Sequence, residues 1–257
     1  MKIQIASDLH LEFFSNREWL SDNPLIAKGD VLLLAGDIIC DKIKKRARSF
    51  YEKLSKDFDF VISTMGNHEF YQGIINYAYP VYQSQIAENH VKLNNRTYVI
   101  DNVKFIVTTL WSYVPEVSKA IISQGLNDYR LISYSDIYKD KYLITVKDTN
   151  RYHKLSLKFI KDELQKPFDG SIIIMTHHLP SYDCIDERYK EDKLNSAFVT
   201  DLNYLIIANP QIKYWVCGHS HDFNETKIGN TIVVRNPLGY VDNGEQRDFR
   251  RDFMIEI

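Results

Sequence analysis

Residues 3–10 read Ile-Gln-Ile-Ala-Ser-Asp-Leu-His, a short β-branched run that leads directly into an aspartate and a histidine. Apolar runs of the same kind recur at 31–35, 60–63, 105–110, 172–176, 214–217 and 232–234. These runs are too short for core helices and are rich in Val and Ile, which predicts buried β-strands. A set of buried strands is therefore the expected framework of the fold.

Helical patterns lie between several of the strand candidates. We predict helices from Asp41 to Leu54, from Leu155 to Leu164 and from Ser196 to Ile206. Asp41 and Ser196 are the expected N-cap residues, and prolines follow the ends of the second and third helices. Strands that alternate with helices predict an α/β fold.

The composition is that of an ordinary soluble globular protein. Of the 257 residues, 44% are hydrophobic and 26% are charged, which excludes a disordered or collagen-like chain. The formal net charge of −2 offers no general attraction for nucleic acid. No apolar run approaches the about 18–20 residues of a membrane span, and the three cysteines form no close pair in sequence. A cleaved leader does not fit either, because its removal would take away Asp8 and His10, so we expect a cytoplasmic protein.

One segment interrupts the alternation of strands and helices. Residues 111–153 are polar and contain six tyrosines, at positions 113, 129, 134, 138, 142 and 152. We predict a single domain over residues 1–257, with a cap-like insertion at about 111–153. The tyrosines either stack on a nucleobase or pack the cap against the sheet.

Polar residues follow five of the predicted strands. They are Asp8 and His10, Asp37, Asn67 and His68, His177 and His178, and His219 and His221. Gly36, Gly66 and Gly218 directly precede three of them, and glycine permits a sharp exit from a strand. In α/β sheets the carboxyl ends of the strands form the ligand site, so these side chains are expected to converge.

The expected donors are carboxylate and amide oxygens with imidazole nitrogens. This mixture suits Mn, Fe or Zn better than the all-oxygen shell of Ca²⁺ or the thiolate shell of structural zinc. The donors are too numerous for one ion. Two cations about 3.5–4 Å apart and bridged by a carboxylate would use them, and would clamp both oxygens of a phosphoryl transfer.

The ordered set of motifs resembles that of the calcineurin-like metallophosphoesterases. The motifs are Asp8-x-His10, Gly36-Asp37, Gly66-Asn67-His68-Glu69, His177 and Gly218-His219-x-His221. The resemblance spans residues 8–221. It implies a four-layer αββα sandwich, in which two mixed β-sheets are flanked by helices. It also implies two sets of metal ligands: Asp8, His10 and His221 for one metal, and Asn67, His177 and His219 for the other. In the same pattern Asp37 bridges the two metals and His68 is catalytic.

In this chemistry the nucleophile is a hydroxide that bridges the two metals, and His68 is the general acid that protonates the leaving group. Mn is the metal expected to support activity in vitro. For His178 two roles are open, contact with the phosphate or packing behind the metal ligands. We expect His90 and His153 to lie at the surface or to cap local structure.

The chain departs from the family pattern at one position. Many members read Gly-Asp-x-x-Asp, and the second Asp orients the catalytic histidine, whereas this chain has Cys40 there. Either Asp41 or Glu69 takes over that role, or His68 works without a partner. The departure argues against the protein Ser/Thr phosphatase branch.

The function predicted from the sequence is hydrolysis of a small phosphoester, with diesters favoured over monoesters and nucleotide-like compounds among the candidates. One alternative is a non-catalytic binding module on the same fold, against which the intact Asn67-His68 pair counts. Another is a nuclease of the same superfamily, against which the net charge and the lack of an extra domain count.

Overall fold

Two six-stranded mixed sheets form the centre of the computed structural model, which describes residues 1–76, 79–135 and 140–257. The strands of these residues are β1 (Lys2–Ala6), β2 (Val31–Leu34), β3 (Phe60–Ser63), β4 (Ile74–Asn76), β5 (Tyr82–Ala87), β6 (His90–Asn94), β7 (Arg96–Ile100), β8 (Val103–Val107), β9 (Ser133–Ser135), β10 (Lys141–Leu143), β11 (Ser171–Met175), β12 (Ile212–Val216), β13 (Asn224–Ile228), β14 (Thr231–Arg235) and β15 (Met254–Glu256). The α-helices are α1 (Phe14–Asp22), α2 (Arg48–Asp57), α3 (Lys119–Gly125), α4 (Asp128–Leu131), α5 (Val146–Leu164), α6 (Asn195–Phe198) and α7 (Asn203–Ala208). The strand predicted from each apolar run is confirmed.

Each large sheet has a parallel centre and antiparallel edges. The first has the strand order β15-β1-β2-β3-β6-β5, in which β1, β2, β3 and β6 are parallel. The second has the order β13-β14-β12-β11-β8-β7, in which β14, β12, β11 and β8 are parallel. A small third sheet has the order β10-β9-β4.

The two large sheets pack face to face between two layers of helices. Ile5 and Leu33 of the first sheet meet Phe105 and Met175 of the second in the central core. The outer face of the first sheet packs on α1 and α2, and that of the second packs on α5 and α7. Because both faces are covered, the central strands are apolar on both sides, as in the buried Val31–Leu34. The four-layer αββα sandwich is therefore confirmed.

The three predicted helices differ in detail from the expectation. The first is kinked: a 3-10 helix over Asp41–Ala47 precedes α2, and Asp41 pairs with Lys92 instead of capping. The second, α5, begins at Val146, where Thr145 and Asp148 form a capping box. The third is two short helices, α6 and α7, separated by extended backbone at Val199, so Ser196 lies inside a helix and caps nothing. Val199 instead forms a β-bridge with Leu179.

The segment 111–153, predicted to be an insertion and called the insertion below, shares a hydrophobic core with its surroundings. It contains α3, α4, β9, β10 and the first two turns of α5, and β9 pairs with β4, which lies outside it. Tyr129, Tyr134 and Tyr152 are buried in this core together with Phe70 and Trp111. Tyr113 and Tyr142 are exposed, and Tyr138 lies outside the described residues. Packing therefore accounts for the three buried tyrosines.

None of the helices in the described residues has both the length and the apolar character needed to cross a lipid bilayer.

Candidate metal centre

Strand ends from both sheets meet at one edge of the sandwich and carry all seven of the predicted metal ligands. From the first sheet, β1 leads to Asp8 and His10, β2 to Asp37 and β3 to Asn67, and from the second, β11 leads to His177 and β12 to His219 and His221. All of these strands run parallel within their sheets, so their carboxyl ends lie on the same side. The side chains are buried or nearly so.

The first group of donors comprises Asp8, His10 and His221, whose ligand atoms all lie within 4.8 Å of one another. Nε2 of His10 lies 3.2 Å from Nε2 of His221. The latter nitrogen lies 3.5 Å from Oδ1 of Asp8. This is the set that the family resemblance implies for one metal.

The second group is centred on Nε2 of His177. This atom lies 3.1 Å from Oδ1 of Asn67, 3.2 Å from Nδ1 of His219 and 3.4 Å from Oδ2 of Asp37. The same oxygen of Asp37 lies 4.0 Å from Nε2 of His10 in the first group. Asp37 is thus placed between the two groups, where a bridging carboxylate is expected.

The donor atoms are arranged to bind cations rather than to form hydrogen bonds with one another. Nδ1 of His177 lies 2.9 Å from the carbonyl oxygen of Ala35 and Nδ1 of His221 lies 2.6 Å from Oε2 of Glu245, so both nitrogens are placed to donate. In these tautomers each Nε2 presents a lone pair to the cluster. His219 instead directs Nδ1 to the cluster, and its other ring nitrogen, Nε2, is buried with no hydrogen-bond partner. Converging lone pairs of this kind are what a bound metal ion satisfies.

The charges of the site also favour cations. Burial lowers the pKa of His177, but the nearby carboxylates of Asp37 and Asp8 outweigh it and raise that pKa to about 9. Burial would raise the pKa of Asp37, but His177 and His68 hold it well below its usual value. Two ionised carboxylates at the centre of the site thus attract positive charge, whether from protons or from metal ions.

Four of the seven donors have a left-handed backbone. The φ angles are 51° at Asp8, 46° at His10, 54° at Asp37 and 69° at His219. For residues other than glycine such conformations cost about 1–3 kcal/mol each and collect at functional sites. The strain turns each side chain away from its strand and toward the shared cluster.

The glycines of the motifs serve two different purposes. Gly36 has a φ of 90°, so the expected conformational role applies to it. Gly66 is not in the left-handed region, and what matters there is space, since an added Cβ would lie 2.0 Å from Oδ1 of Asp37. At Gly218 an added Cβ would lie 2.7 Å from Oδ2 of Asp8. Gly66 and Gly218 therefore leave room for metal-site carboxylates.

Glu12 is the partner of His68, in place of the expected Asp41 or Glu69. Oε1 of Glu12 lies 2.8 Å from Nδ1 of His68 and 3.1 Å from Nδ1 of His10. All three alternatives considered from the sequence are wrong. Asp41 pairs with Lys92, Glu69 accepts hydrogen bonds from the backbone N–H groups of Asp37, Ile38 and Gly66, and His68 does have a partner. The signal was present two residues after His10, in the run Asp8-Leu9-His10-Leu11-Glu12.

Aromatic groups hold the other side of His68. The ring of Tyr71 stacks on His68 with centroids 4.0 Å apart, and the hydroxyl of Tyr240 lies 3.2 Å from its Nε2. Burial lowers the pKa of His68, but Asp37 and Glu12 outweigh it and raise that pKa above its usual value. His68 is therefore positioned and biased toward its protonated form.

Asp128 of the insertion supports a metal ligand. Its Oδ1 accepts hydrogen bonds of 2.8 Å from Nδ2 of Asn67 and 2.8 Å from the hydroxyl of Tyr71. Because the amide nitrogen of Asn67 is held by Asp128, its Oδ1 faces His177. No sequence motif indicates this contact, which joins residues 61 positions apart.

The three remaining histidines are buried. The ring of His178 packs against His219, with centroids 4.2 Å apart, and against Trp111. Its Nδ1 lies 3.4 Å from the carbonyl oxygen of Thr109, which favours packing behind the metal ligands over contact with the phosphate.

The expectation of a surface location for His90 and His153 is wrong, because their exposures are 0% and 3%. His90 lies on β6 beside Ser63, and Nδ1 of His153 lies 3.0 Å from the carbonyl oxygen of Trp111.

A cleft of about 350 Å³ opens over the donor groups and is called the main cleft here. At the metal site it is lined by Asp37, Asn67, His68, His219 and His221, and beyond it by Leu126, Leu179, Ile185, Tyr189, Leu194 and Phe198. A second depression, the side groove, is lined by Glu12, Cys40, Lys42, Arg46 and neighbouring residues. His68, Tyr71, Asn127 and Tyr240 line both. No described tyrosine of the insertion lines either one.

Several known proteins are similar to this chain. A family model described as calcineurin-like phosphoesterase matches residues 1–223. An uncharacterised protein, L509, of Acanthamoeba polyphaga mimivirus is 31% identical over 282 residues, which cover 99% of this chain and 96% of that protein. The structure of a phosphopantetheinyl hydrolase from Mycobacterium tuberculosis is similar, with a TM-score of 0.70 and 15% identity over 100% of this chain and 95% of the other. A dimetal phosphatase from Danio rerio matches with a TM-score of 0.49 and 14% identity, covering 91% of this chain and 86% of the other.

Proposed function

This chain belongs to the calcineurin-like phosphoesterase family, and we propose that it is a phosphodiesterase that uses two metal ions and the general acid His68. The proposed metal ligands are Asp8, His10, Asp37, Asn67, His177, His219 and His221. The metals are proposed to be Mn, Fe or Zn, and the substrate a small phosphodiester. The donor set of imidazoles and carboxylates supports this choice of metals.

The observation that carries the proposal is the position of His68 beside the two donor groups. The backbone N–H of His68 donates to Oδ1 of Asp37 over 2.8 Å, which places His68 next to the proposed bridging residue. A protein that used the metals only as a scaffold would have no need for a histidine held there by a carboxylate. The geometry therefore favours catalysis over a binding module.

When bound, the two cations would supply an ionised water as nucleophile and neutralise charge on the phosphoryl oxygens. The residues of the chain provide the remaining parts of the reaction. Glu12 accepts the Nδ1 proton of His68 in a hydrogen bond, which leaves Nε2 to carry the proton that is transferred to the leaving oxygen. As the bond between phosphorus and the leaving oxygen breaks, His68 becomes neutral and the product leaves as an alcohol.

Two features support a diester over a monoester. The main cleft and the side groove meet at His68, so a phosphoryl group there has room for a substituent on either side. In addition, the described residues that line the main cleft include no Lys or Arg, the side chains that usually neutralise a second phosphate charge. A phosphodiester carries a single negative charge.

Hydrolysis assays in Mn²⁺ test the proposed reaction. We expect bis-p-nitrophenyl phosphate to be hydrolysed with a higher kcat/KM than p-nitrophenyl phosphate, and activity to be lost on chelation and regained with metal. A clear preference for the monoester would contradict the diester assignment. Absence of hydrolysis of either ester by protein loaded with metal would contradict the proposed reaction.

Two substitutions test the residue roles. His68→Ala should keep the metals but lower kcat by about 10²–10⁴, with a smaller loss for a p-nitrophenolate leaving group than for an alkoxide. Equal losses for both leaving groups would show that His68 positions the phosphate instead.

Asp37→Asn should lose at least one metal, because a neutral amide bridges two cations poorly. Two full metal equivalents per chain in this variant would refute the bridging role.

A further inference from the structure

We propose that the main cleft binds an uncharged, apolar arm of the phosphodiester substrate. This inference rests on the proposed function and names the class of substrate that the site accepts. It excludes substrates that would place a second phosphate or a carboxylate in the main cleft.

Two walls of different origin form the main cleft beyond the metal site. The insertion supplies Leu126, and the chain between β11 and β12 supplies Ile185, Tyr189 and Leu194. The walls touch at Gly125, where an added Cβ would lie 2.8 Å from Cδ2 of Leu194. A bound arm would thus lie between Leu126 on one side and the apolar side chains of the chain between β11 and β12 on the other.

The apolar surface begins directly at the metal site. The ring of Phe198 stacks on that of His219, with centroids 4.5 Å apart and planes inclined by 29°. Phe198 is half-buried and lines the main cleft, whereas Leu179 is 1% exposed and offers it little surface. The first atoms of an arm attached to phosphorus therefore meet the ring of Phe198, and burying apolar groups there is favourable by about 0.8 kcal/mol for each methylene.

The charges of the main cleft are unfavourable for an anionic arm. No Lys or Arg occurs among the described residues that line it, whereas Asp192 and Glu245 do. Oδ1 of Asp192 accepts a hydrogen bond from the backbone N–H of Leu194, and Glu245 holds His221. An anionic group would lose hydration without gaining a cationic partner, which is costly in a partly enclosed site.

Positive side chains lie instead in the side groove. Lys42 and Arg46 line it together with the carboxylates of Glu12 and Asp242, so the side groove carries charges of both signs. The two arms of a diester therefore meet different surroundings. This separation makes the apolar preference specific to one arm.

A series of p-nitrophenyl phosphodiesters tests the inference, with methyl, hexyl, phenyl or 5-carboxypentyl as the second arm and p-nitrophenolate as the constant leaving group. We expect kcat/KM for the hexyl and phenyl esters to exceed that of the methyl ester by about tenfold or more. The carboxypentyl ester should fall at least about tenfold below the hexyl ester. Leu126→Lys should reduce the hexyl-to-methyl ratio and the hexyl-to-carboxypentyl ratio of kcat/KM. Leu143→Lys is the matched control, since Leu143 is an exposed residue of the insertion that lines neither depression.

The outcomes separate this inference from the proposed function. Metal-dependent hydrolysis with equal kcat/KM for all four arms, or with the carboxypentyl ester as good as the hexyl ester, would overturn the inference and leave the phosphodiesterase in place. Ratios unaffected by Leu126→Lys would show that the preference arises outside the main cleft, which also overturns it. Failure to hydrolyse any of the four diesters would overturn the proposed function itself.

Discussion

The carboxylate of Glu12 positions the ring of His68, because Oε1 of Glu12 lies 2.8 Å from Nδ1 of His68. The same oxygen lies 3.1 Å from Nδ1 of His10, so one carboxylate positions both the proposed general acid and a proposed metal ligand. Burial opposes ionisation of Glu12, but His10 and His68 outweigh it and lower its pKa to about 2. Glu12 therefore carries its charge throughout the physiological range and compensates for Cys40 at the family's usual Asp position.

Glu12→Gln tests this assignment. The amide keeps the shape of the side chain but loses its charge, so kcat should fall by about 10–100-fold at saturating Mn²⁺. The loss should be larger for a 2′,3′-cyclic nucleotide, which has an alkoxide leaving group, than for bis-p-nitrophenyl phosphate. Glu18→Gln, an exposed change on α1, is the control. An unchanged kcat on the cyclic nucleotide would refute the role of Glu12.

Asp128→Asn tests the link between the insertion and the metal centre. The neutral amide is a weaker hydrogen-bond acceptor than the carboxylate, so Asn67 is held less firmly and can turn its oxygen away from His177. The Mn²⁺ concentration needed for half-maximal activity should rise by about 10–100-fold. Glu116→Gln, an exposed change in the same insertion, should leave it unaltered. Equal Mn²⁺ dependence of both variants would show that Asp128 does not position the ligand.

Gly66→Ala tests the space beside the proposed bridging carboxylate. Since the new methyl group would lie 2.0 Å from Oδ1 of Asp37, that side chain has to move out of its place between the donor groups. We expect elemental analysis to show fewer than two metal equivalents per chain and activity to fall by at least about 100-fold. At Gly73 an added Cβ would meet its nearest atom, the oxygen of Phe70, at 3.1 Å, so Gly73→Ala is the milder control. Full metal content in Gly66→Ala would contradict the geometry.

His90→Gln tests the cost of a buried histidine far from the metals. Burial lowers the pKa of His90 to about 3, and the charge of Lys92 adds to this effect. A histidine in the unfolded chain has a pKa of about 6.5. The unfolded state therefore binds the proton first, and the free energy of unfolding falls as the pH drops below about 6.5. Between pH 7.5 and 5.0 the wild type should lose about 2 kcal/mol more than His90→Gln.

Denaturant unfolding of both proteins in chelator at the two pH values measures this difference. Chelation removes the metal-linked contribution, and the comparison of the two proteins cancels the titration of the other histidines. Glutamine can retain the hydrogen bond to Ser63, which in the native protein joins Nε2 of His90 to Oγ over 3.0 Å. An equal pH dependence for the two proteins would mean that His90 is protonated in the folded state.

Much of the metal centre was predictable because it depends on local sequence. The apolar runs specify strands, and parallel strands bring their carboxyl ends to one edge, so Asp8, Asp37 and Asn67 of the first sheet are expected to lie together. That His177 of the second sheet joins them was implied by the family resemblance. The helices were predicted less well. Periodicity shows which residues are apolar but not where the backbone turns, so the break at Val199 and the early start of α5 were missed.

The sequence by itself determined an α/β fold whose strands end in polar residues, because both features depend on short motifs and a general rule of sheet topology. The four-layer sandwich and the seven proposed metal ligands were implied by the resemblance of those motifs to a known family. Only the tertiary structure decided what surrounds those ligands: that Glu12 is the partner of His68, that Asp128 holds Asn67, and that His90 and His153 are buried. The physical reason is that these contacts join residues 56 and 61 positions apart, or depend on how whole layers pack. A hydrogen bond across such a distance is set by the position of entire strands and loops, which no local pattern records.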